Sequence, residues 1–405
     1  MAMKQTQTKL FDFSDVGLDF CAGSKNLFPD RFKKMLALGY NEQTVSSVAV
    51  AGNQVTLSYG VSHGYVADRV LKVNAPELLS INDGEFVIDS VTENTVTMTI
   101  DGAPALIAGN FTTKVASLGW ELVYELNHIH IYKFKHIDDT DMYLRLCFQT
   151  VSTQRNCVVA CVGKTFDVSS GLITDLNVFE DLATAQTVAG TTTPYRWEFG
   201  AQNANTANNY TYSQGYASYG KGVVVGSKYH FISMHSCGSG ADKSITLGVI
   251  PFYTQYENIN YPILLCQNGG AITGSGYYQS YIATTVGIAG KEYVRFTSRQ
   301  NQILANSDTK ANFMPDSIEP FLTTAARPIF AYTSTQGQMV GVIYGVFEAQ
   351  YGNTADAPAL GHVNTPRASR DIDLNNIVFT HPVVAYDNTG VRAYFAVPVE
   401  EVKIV

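Results

Sequence analysis

The sequence predicts a mainly β protein: a small N-terminal β-sandwich or barrel module followed by a larger antiparallel β-sandwich domain, with few helices. Three observations carry this. Apolar and polar residues alternate with period two along most of the chain, and Gly, Asn and Asp clusters bound the alternating runs. Aromatics reach 12%, with 24 Tyr and 21 Phe, and such residues favour a pleated, half-buried surface. Helix signals are confined to residues 29–38 (PDRFKKMLAL) and, more weakly, 175–185. In the first, Asp30 is placed to cap, and Phe32, Met35 and Leu36 share a face.

Taken in order, residues 1–45 read as an N-terminal arm with one short helix, placed to dock on an adjacent ring of subunits. Residues 46–115 read as a small β module. Its strands SVAVAG, QVTLSYG, RVLKVN, GEFVIDSV and TVTMTID are separated by AGN, SHGY, NDG and TEN, all turn chemistry. In the last strand Thr95, Thr97 and Thr99 face one way and Val96, Met98 and Ile100 the other. Residues 116–405 read as the larger sandwich, with a division placed near 260–275. There WELVYELNHIHIYKFKH reads as one long strand with Leu122, Tyr124, Leu126, His128, His130, Tyr132 and Phe134 on one face. DDTD then turns the chain, MYLRLCFQTV returns, and NCVVACV adds a buried strand. Residues 186–221 read as an extended polar loop or an oligomer-contact arm. Later runs such as MVGVIYGVFEA and VRAYFAVPVEEV are further strands, and no clean internal repeat indicates a solenoid or propeller.

Composition narrows the function classes. The chain has 405 residues, net charge −8 and 15% charged residues, against roughly 25% in ordinary soluble domains. Such a surface suits a protein covered by neighbours. No apolar run reaches spanning length, and the first residues lack the apolar core of a secretory signal; neither membrane insertion nor export is expected. The densest basic run is Arg31, Lys33 and Lys34, too short to predict a sequence-specific nucleic-acid partner. Six Cys are spread over the chain. Cys157 and Cys161, inside CVVACV, read as reduced core thiols.

Candidate chemistry is sparse. His128 and His130 form an H-x-H pair, followed by His136 and Asp138, and on a strand both imidazoles would point to one side as a metal needs. The same face carries Leu, Tyr and Phe, so packing between aromatics competes with ligation. His63 reads as a turn residue. Asp138, Asp139 and Asp141 crowd one hairpin tip, unlike carboxylates flanking a glycosidic bond, and lack the Gly and Glu of an EF-hand. Gly163 to Thr165 (GKT) has Val158 where a phosphate loop needs Gly. No helix pattern follows Gly238, Ser239 and Gly240. Cys237 near His235 is a weak nucleophile–base pair. No catalytic, cofactor-binding or metal residue is assigned, and no cofactor is expected. Tyr210, Tyr212, Tyr216 and Tyr219 in a polar loop, with Tyr277 and Tyr278 after a Gly-rich turn, are candidate interface or glycan contacts. Ordinary β composition is the competing reading.

Two stretches carry a resemblance. VAVAGNQVTLSYGVSHGYVADRVLKV and INDGEFVIDSVTENTVTMTIDGAP, within residues 48–105, resemble a small β module that recurs in tailed-bacteriophage virion and tail-fibre proteins. From Ile131, IYKFKHIDDTDMYLRLCFQ, NCVVACVGKTFDVSSGLITDLNVFEDL and YRWEFGAQ look like phage tail or baseplate-associated structural proteins. Tyr143, Leu144 and Arg145 match a Y-L-R strand, and Gly171, Leu172 and Ile173 stand near the family's loop. Lys133 and Phe134 depart from its first strand. The resemblance implies a non-enzymatic virion subunit of the tail or baseplate, acting as a ring, adaptor or fibre-attachment piece. Its partners would be copies of itself and neighbouring virion proteins, and it would be assembled in the bacterial cytoplasm. The alternative is a receptor- or glycan-binding tail component that contacts host surface sugars.

Overall fold

A computed structural model describes residues 7–76, 81–152, 154, 156–188, 195–199, 211–214, 221–236, 244–268, 287–289, 292–295, 326–333, 336–349, 366–370, 376–384 and 393–402. The chain is mainly antiparallel β. Among the described residues the strands form sheets of seven, six and thirteen strands, plus a two-stranded ribbon.

The seven-stranded sheet closes on itself. Its order runs from Glu85–Val87 through Val70–Asn74, Phe111–Val115, Tyr40–Ala51, Gln54–Tyr59 and Thr95–Thr99 to Ser90–Val91. The two end strands are consecutive in the chain. Between them, Ile88 N donates to Arg69 O (2.8 Å) and Asp89 N to Thr97 O (2.9 Å). One bent segment thus pairs with both flanks, and the sheet becomes a small barrel with no open lateral edge. Its interior is filled by Val45, Val55, Leu57, Phe86, Val96 and Met98. The Thr/Val alternation of Thr95–Thr99 appears as half-buried and buried positions in turn. The barrel starts at Tyr40 rather than 46, because YNEQTVSSVAVA forms a single 12-residue strand.

The other two sheets face each other as a sandwich. The six-stranded sheet includes Glu121–Leu126, Ile129–Lys135, Asp141–Phe148, Cys157–Gly163 and Tyr195–Glu198. Trp197 on it stacks on Phe231 of the larger sheet at 5.6 Å between ring centroids. In the larger sheet, Gly222–Ser227 and His230–Ser236 are buried along their whole length. Val224 and Phe231 join the core shared with the barrel and the smaller sheet, whereas Val223, Val225, Ile232 and Met234 join a second core on the far side. A strand covered on both faces loses its alternation and reads as a continuous apolar run, which is why GVVVGS and CVVACV look alike.

Three expectations change. First, the N-terminal segment is woven into its own chain rather than held out for a neighbour. Lys9–Asp12 pairs antiparallel with Gly222–Ser227, and Phe11, Phe13, Phe20, Phe28 and Phe32 are buried. An arm carrying five core aromatics gains more by burial at home than by exposure. Second, the long strand from Trp120 is a hairpin. Leu126 pairs with Ile129, and Asn127 takes φ +53°, a left-handed conformation that Asn tolerates. His128 therefore lies in the turn, and the shared face from Leu122 to Phe134 does not form. Third, Asp30 caps nothing. The helix is Phe28–Lys33 with Leu27 at the N-cap, continued by a π turn over Lys34–Leu38, and Asp30 instead pairs with Lys34 at 3.1 Å. The weaker helix signal shortens to Glu180–Ala183.

The exit from that π turn gives a first prediction. Gly39 has φ +75°, and a Cβ there would sit 2.3 Å from the Val115 carbonyl oxygen. Gly39→Ala combines a left-handed non-glycine residue with a backbone clash. It should destabilise the protein by about 1–3 kcal/mol, read from denaturant midpoints, whereas Ala at Gly52, which has open space around it, should cost less.

Candidate functional site

The predicted chemical residues are held in structural contacts. At the hairpin tip, Asp138 Oδ1 accepts from Thr140 N (3.0 Å) and Thr140 Oγ1 (2.6 Å). Asp139 meets Lys228 at 2.9 Å, and Asp141 meets Lys133 at 2.9 Å and Lys135 at 2.6 Å. Hydrogen bonds from Lys228 hold the Asp139 carboxyl below its ordinary range, and those from Lys133 and Lys135 do the same for Asp141. These groups are ionised bases with cations already on them, and a general acid needs the opposite shift. Glu198 does shift upward, because burial outweighs the neighbouring Arg196.

The histidines are dispersed. His128 is half-buried, with Nε2 2.7 Å from Gln186 O. His130 is buried, with Nδ1 3.0 Å from Tyr132 Oη, and sits edge-on to Phe148. The hairpin turn separates the pair, and among the described residues no group of three His, Cys, Asp or Glu is placed to hold a metal ion. His63 is a turn residue whose Nδ1 accepts from Tyr65 N at 2.9 Å. Cys21, Cys147, Cys157, Cys161 and Cys266 are buried and unbridged. Burial pushes the Cys21 and Cys147 thiols up to about 11 and Cys161 to about 12, so they are poor nucleophiles at neutral pH. Cys237 and Gly238 to Gly240 lie outside the described residues. Lys164 of the GKT triplet lies over the Tyr261 ring at 4.5 Å, in a strand-to-ribbon turn rather than a helix start. Close by, Cys161, Phe179, Leu182, Tyr261 and Leu264 line a cavity of about 10 Å³, room for about one water molecule.

Of the predicted tyrosines, Tyr212 is half-buried and packs against the main core. Its loop is tied down by Ser213, whose N and Oγ each donate to Asp19 at 2.8 Å. Tyr210, Tyr216, Tyr219, Tyr277 and Tyr278 lie outside the described residues.

A different set of aromatics is displayed. On the larger sheet, Phe252–Tyr253 and Ala326–Thr333 flank Met339–Ala349. Val342 is directly opposite both Tyr253 and Phe330. Directly paired residues share a face, so Tyr253, Val342 and Phe330 form a row across three strands. Tyr253 is 44% exposed and Phe330 39%. Tyr332 pairs with Met339, itself 48% exposed, and extends the face. Their neighbours Phe252, Ile329, Ala331 and Ile343 point inward and are buried. Beside the row, Gln338 Nε2 donates to Tyr256 Oη at 3.1 Å, and Thr254 Oγ1 donates to Val340 O at 2.6 Å, fixing the loop that carries Tyr256. This arrangement escaped the sequence reading because the partners are far apart in the chain, and only the register brings them into line.

No protein-family model matches the chain, and no curated protein matches its sequence. No helix among the described residues is long and apolar enough to cross a membrane.

Proposed function

We propose that this chain is a structural subunit of a bacteriophage virion, in the tail or baseplate, where it serves as a ring, adaptor or fibre-attachment piece. It works by assembling with copies of itself and with neighbouring virion proteins after synthesis in the host cytoplasm. It acts without catalysis. The observation that carries the assembly part is the outward row Tyr253–Val342–Phe330 with Met339. Contiguous exposed aromatic and aliphatic groups on a rigid sheet are costly in water and characteristic of buried contacts. The phage setting rests on the resemblance of residues 48–105 and of the stretch from Ile131. A low charged fraction supports both, since fewer charges need desolvation at a contact.

Mass measurement of the purified chain tests this. The wild type should form a defined oligomer, and Phe330→Asp with Tyr253→Asp should dissociate it into folded protomers. A monomeric wild type that also fails to join purified phage tail components would sink the reading. A second reading, a tail component that binds host glycans, is favoured by Tyr253 and Tyr256 beside the Gln338 amide, since aromatic faces and fixed hydrogen-bonding groups are what sugars stack on and bond to. Host polysaccharide binding lost in Tyr256→Ala, with the oligomer unchanged, would favour it.

A further inference from the structure

Two histidines, His136 and His235, stand where the two sheets of the sandwich meet, and a third, His230, lies on the opposite face of the larger sheet, beside Gly345. His235 on the larger sheet has Nε2 3.1 Å from Glu198 O on the smaller one, and its ring stacks on Phe199 at 4.8 Å and 8°. His136, just after Ile129–Lys135, has Nε2 3.0 Å from Asn260 Oδ1, in the loop before the larger sheet's strand Ile263–Leu265. His230 starts the strand after the turn at Lys228. That turn accepts a hydrogen bond from Lys135 N (3.1 Å) and sends Lys228 and Tyr229 to Asp139. All three rings are at most 2% exposed. His136 Nδ1 and His230 Nε2 are buried without a hydrogen-bond partner.

We propose that acid opens the contact between the two sheets while the barrel of residues 40–115 stays folded, giving the protein a built-in, pH-triggered opening of the sandwich. This proposal is independent of the phage reading. A second proton on His136 places a charged N–H where no acceptor stands, and opening the contact lets water supply one; His230 carries the same penalty on the second-core side of the larger sheet. On His235 the second proton must share the Ser233 hydroxyl, 3.1 Å from Nδ1. The surroundings offer little relief. His230 faces the Ser227 hydroxyl and Gly345. His235 lies between Phe13 and Phe199, with the Arg196–Glu198 ion pair on the facing strand. His136 faces Asn260 and Asp138, which favour its charge, and Lys164, which opposes it. Burial lowers all three, His230 to about 3 and His235 to about 4. The unfolded chain, with His near 6.5, then binds more protons than the folded one. The stabilisation is complete above about pH 6.5 and is lost as pH falls toward about 4. The barrel strands contain no histidine. The barrel's His63 lies in the loop outside them, with both ring nitrogens hydrogen-bonded, to Tyr65 N and Thr95 O.

Both tryptophans report on the contact: Trp197 stacks on Phe231, and Trp120 donates from Nε1 to Ser227 O at 2.9 Å. The experiment is a pH titration of the full chain, followed by tryptophan emission and by hydrogen exchange resolved along the sequence. The emission should shift to the red between about pH 6 and 4, while amides of residues 40–115 keep their protection. His136→Gln and His235→Gln should each move the emission midpoint to lower pH by several tenths of a unit or more. Loss of barrel protection at the same midpoint overturns the proposal. So does emission that stays unchanged down to about pH 4, where carboxylate titration takes over. If either variant fails to fold, the wild-type comparison of emission with barrel protection still decides.

Discussion

Asp15→Ala should destabilise the protein by about 3–5 kcal/mol, the range for stranding one member of a buried ion pair. Asp15 and Arg69 are both buried, and they meet through two hydrogen bonds, Arg69 Nε to Oδ2 at 2.8 Å and Nη2 to Oδ1 at 3.0 Å. Asp15 Oδ2 also accepts from Tyr40 Oη (2.8 Å) and Asp12 N (2.9 Å). The carboxylate therefore joins three parts of the chain: the N-terminal strand, the first barrel strand and the segment entering Val70–Asn74. Removing it leaves a guanidinium without its counter-ion and a phenol without its acceptor. Arg69→Met alone also strands a charge, so it should be costly too. Asp15→Leu with Arg69→Met should recover much of the loss, because an apolar pair has no charge to desolvate. Urea unfolding of the three variants decides the matter. A loss below about 1 kcal/mol in Asp15→Ala would mean that water reaches Arg69 and that the pair behaves like a surface one.

Why the sequence revealed some features and hid others follows from how far apart the interacting residues lie. The alternation of Thr95–Thr99 is local, and the structure repeats it position by position. Phe32, Met35 and Leu36 are likewise buried on one side of the helical turn, because a helix face is set within a few residues. The hairpin at Asn127 was hidden for a specific reason. In a two-residue turn the residues flanking it pair directly, here Leu126 with Ile129. The face continued by Leu126 is then taken up by Ile129 and Ile131, not by His128 and His130. Such a turn moves the apolar face by a single position, a change of phase that a bulge within one strand also makes, so a strand and a hairpin read alike. Sandwich and barrel both fit the sequence of this module, because closure depends on Ile88 and Asp89 bonding to Arg69, just before Val70–Asn74, and to Thr97. The Tyr253–Val342–Phe330 row depends on registers between distant segments, so a tyrosine-rich loop drew attention instead. Tyr212 itself is half-buried against the core, in a loop that holds Asp19.

Trp197→Ala should cost about 3–5 kcal/mol, the range for emptying a buried large aromatic site. Trp197 is fully buried in YRWE, a four-residue strand. Its ring meets Phe231 at 5.6 Å and Phe32 at 6.1 Å, both near parallel to it and 5.6 Å from each other, and Nε1 donates to Leu265 O of the opposite sheet at 3.0 Å. The strand also pairs with Cys157–Gly163 and with Gln267–Asn268. One side chain thus joins the helix, the smaller sheet and the larger sheet. Trp197→Phe separates the two contributions: it keeps most of the stacking but leaves the Leu265 carbonyl without its donor, a loss of about 1–3 kcal/mol. Equilibrium unfolding should rank the stabilities wild type, Phe, Ala. Equal losses in Phe and Ala would assign the effect to the hydrogen bond rather than to packing.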